Sequence, residues 1–109
     1  MSQEREKKLE ERRRLKVEYG KLFESVSSLL SRHDPVGINF ETNTDEYDPE
    51  VGTILPRLRT CKTAADVRQV VHEEFVRWFD RDIAGPKELY SKIAEEIWQL
   101  WKKSELTQP

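Results

Sequence analysis

Cysteine is nearly missing from this chain. Cys61 stands alone among 109 residues, so no intramolecular disulfide framework can staple the fold. A reducing, intracellular setting is the simplest expectation. Histidine is almost as scarce, and His33 and His72 are too few for a histidine-rich metal centre. The stretch His72-Glu73-Glu74-Phe75-Val76 begins like a zinc-protease helix, but Val76 stands where the second histidine must be. Each histidine therefore reads as a solvated or capping side chain. No glycine-rich phosphate loop exists, and no serine or cysteine sits in a recognisable nucleophile motif. Long apolar runs are absent too. No segment approaches the roughly 20 apolar residues that span a bilayer, and none follows the basic start as in a secretory signal. These absences predict a cytoplasmic protein whose sequence asks for no cofactor and names no catalytic residue.

Neither sign of charge dominates. Nineteen Lys and Arg residues face 21 Asp and Glu, for a net charge of −2, and charged residues make up 37% of the chain. That balance fits a solvated helical exterior better than a surface built for polyanions. Arg12-Arg13-Arg14 with Lys16 is the one basic cluster, and Glu10, Glu11 and Glu18 cancel much of its field. Nucleic acid is accordingly not an expected partner.

The chain divides by composition. Residues 1–14 form a charged extension with Glu and Lys/Arg at helical pair spacing, such as Glu4–Lys8 and Glu10–Arg14. Residues 15–104 carry the apolar periodicity of one helical domain, and 105–109 read as a disordered tail. Leu15, Tyr19, Leu22, Phe23, Val26, Leu29 and Leu30 recur at three- and four-residue steps, which predicts a first helix ending by His33. Gly20 falls off that stripe. Asp34 precedes Pro35, and a residue before proline is pushed out of the α region.

Asp48-Pro49-Glu50 starts a second helix, with Asp48 as N-cap and Pro49 at the first helical position. That helix should run to about Arg59, kinked at Pro56 or short and tight. Thr63, with Asp66 three residues on, begins a third helix. Its expected core face is Ala64, Val67, Val70, Val71, Phe75, Trp78 and Phe79, and Glu74 flanks it within reach of Arg77 or Arg81. A fourth helix, Pro86 to about Ser104, should bury Leu89, Tyr90, Ile93, Ala94, Ile97, Leu100 and Trp101. The expected fold class is thus all-α: a small four-helix domain with a long acidic loop between helices 1 and 2.

That loop is the candidate site. Asp34–Glu50 holds six carboxylates and no basic residue. Val36 to Phe40 alternates, which nominates Ile38 and Phe40 as core anchors, and Asn43-Thr44-Asp45 is turn chemistry. As a calcium loop the spacing fails, because counting from Asp34 the sixth residue is Asn39 and the twelfth Asp45. The plain reading makes Asp48 a helix cap, Asp34 the closure of the first helix, and the remainder solvated. The functional reading makes Asp34, Asp45, Glu46, Tyr47, Asp48 and Glu50 a surface for a protein partner, with Trp98, at the edge of its helix face, as an aromatic anchor. A metal-binding domain or metal-dependent hydrolase using Asp34, Asp48 and Glu50 is the alternative, and a homodimer formed through the first helix a third. Cys61, near a helix end, reads as a half-buried thiol.

The motif His33-Asp34-Pro35-Val36-Gly37 followed by Asp45-Glu46-Tyr47-Asp48-Pro49-Glu50 resembles the signature of the YugE-like family of small bacterial proteins. The closing Ile97-Trp98 with Trp101 suits the same group. The resemblance covers about Leu22 to Trp101 and singles out Asp34, Gly37, Tyr47, Asp48 and Glu50. It implies a compact helical domain and carries no enzyme activity with it. An immunity- or antitoxin-like role fits such a domain, because an acidic loop can neutralise a basic partner.

Overall fold

The computed structural model describes residues 13–15, 17–37 and 47–104. The anchors Ile38 and Phe40, the turn at Asn43–Asp45, the charged extension before residue 13 and the tail lie outside the described residues. The described part is all-α, with no strand among its residues.

Residues 13–15 and 17–19 are helical and form α1; α2 runs Lys21–His33, α3 Asp48–Ile54, α4 Ala64–Ala84 and α5 Ser91–Lys103. Tight 3-10 turns at Leu55–Thr60 and Lys87–Tyr90 lead out of α3 and into α5. The sequence pattern made the first helix continuous, and the structure divides it. Gly20 takes φ 55 and ψ −128, a conformation open to glycine and strained for residues with a Cβ, so the chain turns there before α2 begins. Among the described residues five helices result, not four. Glycine also lets α1 approach α3. A methyl built on Gly52 would come within 3.2 Å of Leu15 Cδ1, and Glu18 pairs with Arg59 at 3.4 Å.

The other boundaries follow local chemistry. Asp34 leaves the helix in the left-handed region, φ 46 and ψ 56, and its N–H donates to the Leu30 carbonyl at 2.8 Å. Pro56 forces the second helix into the expected tight 3-10 form. Thr63 and Asp66 form a reciprocal capping box, with Asp66 N–H to Thr63 Oγ1 and Thr63 N–H to Asp66 Oδ2 both at 3.2 Å. Asp48 departs from its expected role. The N-cap is Tyr47, with no side-chain capping bond, and Asp48 itself is buried.

Phe75 lies near the middle of the core, its ring 5.8 Å from Tyr47, 5.7 Å from Phe79 and 5.1 Å from Tyr90. Phe23, Val26 and Leu30 from α2, Val51 and Ile54 from α3, Val67 and Val71 from α4 and Ile97 from α5 are buried with it. Two expected core residues stay outside. Trp78 is 42% exposed, its indole N–H donating to Thr53 Oγ1 at 3.0 Å, and Leu89 is 57% exposed. Leu89 falls in the 3-10 turn, where the α-helical spacing that selected it does not apply.

Helix α4 is interrupted at Asp80, a break that no sequence signal announced. Asp82 follows Phe75 by seven residues, so a continuous helix would turn Asp82 toward the core face. The break sends Ala84 inward instead, where it is fully buried, and the Tyr90 hydroxyl donates to its carbonyl at 2.6 Å. Burial pushes the Tyr90 phenol up to about 12 from its ordinary 10.0. A phenol whose folded value is raised binds its proton more tightly in the native state. Its stabilisation is therefore complete below about pH 10 and lost as pH rises toward about 12, a decline on the order of 2 kcal/mol. Chemical denaturation across that window should show this slope in the native chain and a shallower one in Tyr90→Phe. Equal slopes would remove Tyr90 as its source.

Candidate functional site

The two ends of the acidic connector meet. Gly37 N–H donates to the Asp34 carbonyl at 3.1 Å, closing a turn just past α2. Tyr47, at the far end, returns its hydroxyl to Asp34 Oδ1 at 2.7 Å, and Val36 N–H donates to that same hydroxyl at 3.4 Å. One residue later Asp48 Oδ1 accepts from the Ser27 hydroxyl of α2. The Tyr47 carbonyl accepts from Val51 N–H at 3.0 Å and so starts α3. Residues 34–37 and 47–48 thus meet at one place, held by two hydroxyl–carboxylate bonds to buried or half-buried partners.

The positions selected from sequence separate into three sets. Asp34, Tyr47 and Asp48 are brought together as an anchor. Tyr47, Asp48 and Glu50 are all buried, so in this conformation their side chains offer no surface to a partner. Asp45 and Glu46 lie outside the described residues. Trp98 is half-buried on α5 at the core's edge, with the Lys102 ammonium 5.7 Å from its ring centroid. Among the described residues no three His, Cys, Asp or Glu side chains gather as metal ligands would. Asp34, Asp48 and Glu50, the trio of the metal reading, form no such group.

A second polar cluster joins the 3-10 turn after α3 to α4. Glu74 is only 2% exposed, and its Oε2 accepts from Arg57 Nη1 at 2.8 Å, with Arg77 Nη1 at 3.7 Å. Its Oε1 is buried without a hydrogen-bond partner. Arg57 Nη2 also binds Glu73 at 2.7 Å, and that bond holds the Glu73 carboxyl below the usual range. Sequence reasoning singled out Glu74 but assigned it Arg77 or Arg81. Its main partner, Arg57, comes from 17 residues upstream, and no local spacing rule connects the two.

Helices α2 and α5 are tied by His33, whose Nε2 meets Glu96 Oε2. Cys61 is more deeply placed than the half-buried thiol expected, and burial raises its pKa, away from thiolate reactivity. An open groove of about 610 Å³ lies at the α1–α2 break and the end of α5, lined by Tyr19, Gly20, Leu22, Leu100 and Ser104 among others. None of the described candidate site residues lines it. No protein-family model, curated protein or solved structure matches the chain.

Proposed function

We propose that this chain is a protein-interaction module that receives a basic partner on its acidic connector, as an immunity or antitoxin protein would. The observation that supports the reading is the double anchor, Tyr47 to Asp34 and Ser27 to Asp48. It assigns those carboxylates to holding the connector's ends and leaves Glu41, Asp45 and Glu46 as the acidic residues of the span between them. A cluster of one sign steers an oppositely charged partner and makes capture sensitive to salt. The resemblance to YugE-like proteins implies a compact helical domain and carries no enzyme activity with it. The buried positions of Asp48 and Glu50 move the recognition surface of this proposal to residues 38–46.

The test is a triple charge reversal, Glu41→Lys, Asp45→Lys and Glu46→Lys, with native and variant chains immobilised side by side. The native chain should retain a basic protein from a lysate of its source cell at low salt and release it at high salt. The variant, melting at the same temperature, should bind that protein roughly tenfold or more weakly. Equal retention by the two chains would overturn the acidic-connector reading.

A further inference from the structure

Asp80 stands in a backbone conformation that its residue type does not favour. Its φ of 73 and ψ of 170 fall in a region essentially reserved to glycine, because a Cβ crowds the backbone there. Gly85, five residues on, adopts nearly the same conformation, φ 77 and ψ −172, with the residue that suits it. A side-chain-bearing residue stays in this region only where surrounding contacts over-determine it.

Here those contacts are few. Asp80 Oδ1 accepts from Ile83 N–H at 2.9 Å, and Gly85 N–H donates to the Arg81 carbonyl at 3.1 Å. Outside the backbone bonds of α4 itself, two bonds tie the segment to other described residues. The Tyr90 hydroxyl donates to the Ala84 carbonyl at 2.6 Å, and His72 Nε2 donates to the Gly85 carbonyl at 2.9 Å. Of residues 81–84 only Ala84 is buried, while Arg81, Asp82 and Ile83 are exposed.

We propose that residues 80–85 form a strap that opens as a unit before the domain unfolds, hinged at the strained Asp80. Opening relaxes the hinge and breaks the bonds from Tyr90 and His72, with the burial of one alanine lost. It frees the Tyr90 hydroxyl and His72 Nε2, and it uncovers the rings beneath them. His72 lies 5.7 Å and Phe75 5.1 Å from the Tyr90 ring. The earlier turns of α4 are held by the capping box and by Val67, Val70, Val71 and Phe75, so they need not move with the strap. Exposed backbone, little buried apolar surface and local strain are the marks of a low-stability unit.

Native-state amide hydrogen exchange on the full chain, in graded subdenaturing urea, tests this. The amides of residues 81–85 should exchange at least about tenfold faster than those of Val67–Phe75, with little dependence on urea. Asp80→Gly keeps the backbone conformation without the Cβ, and glycine is nearly as good at this capping position. It should slow exchange of the Gly85 amide, whose bond to the Arg81 carbonyl it leaves intact, by roughly fivefold or more. Tyr90→Phe should speed it. The proposal is overturned if native 81–85 exchanges only with global unfolding, or if Asp80→Gly leaves exchange of the Gly85 amide unchanged or faster. Should Tyr90→Phe fail to fold, the native chain and Asp80→Gly decide between these results.

Discussion

Phe75→Ala is expected to destabilise the domain by about 3–5 kcal/mol, the range for emptying a fully buried aromatic site. Phe75 has no exposed surface and sits against three other rings, Tyr47, Phe79 and Tyr90, which come from three different elements. Two of those rings are pinned by other bonds, Tyr47 to Asp34 and Tyr90 to Ala84, so they cannot readily collapse into the space. The cost should therefore fall in the upper half of that range. A domain of this size has a total stability of about 5–15 kcal/mol, so the variant should be marginal and melt well over 10 °C lower. Phe75→Leu, which keeps most of the volume, should cost less than about 1.5 kcal/mol. Urea denaturation of the three chains measures both. Equal losses in the two variants would mean that the ring's bulk does not hold the helices together.

Arg57→Ala should cost about 3 kcal/mol, while Glu74→Leu should change stability by less than about 1 kcal/mol in either direction. The asymmetry follows from burial. Removing Arg57 strands a carboxylate that is 2% exposed, with Arg77 left at 3.7 Å as its remaining cation. Removing the Glu74 carboxylate strands nothing, since Arg57 is partly exposed and keeps Glu73 at 2.7 Å. Leucine in its place also ends the burial of the unpartnered Oε1. Comparable losses from the two substitutions would show that the pair acts through mutual attraction, with desolvation a minor part.

Much of this architecture was legible because its causes are local. Pro56 cannot supply the N–H of an α-helical bond, and the chain runs as a 3-10 turn there, while Thr63 with Asp66 satisfies orphan backbone donors through a three-residue spacing. The stripe through Phe23, Val26 and Leu30 announced a buried face because a helix repeats every 3.6 residues. Gly20 shows the limit of that logic. Periodicity runs straight through it, and only the backbone angles reveal that the residue is used as a break. Asp80 was harder still, since nothing in aspartate marks a glycine-type conformation. Its cause is tertiary, the burial of Ala84 beneath Tyr90.

The candidate site divides along the same line. That the connector is acidic, uninterrupted by basic residues and flanked by helix-ending and helix-starting signals was plain from residue types alone. Which of its carboxylates are spent on the fold was not. Asp48 resembles a helix cap by every local rule, yet it accepts from Ser27, 21 residues away, and lies buried.

The amino-acid sequence by itself determined most helix spans, the Thr63–Asp66 cap and the apolar faces that draw the helices together, since these depend on spacing within a few residues. Only the tertiary structure decided which polar groups are buried and with whom, as in Arg57 with Glu74 and Tyr47 with Asp34. Desolvation makes such pairings matter, and desolvation is a property of the packed chain, set by residues far apart in sequence.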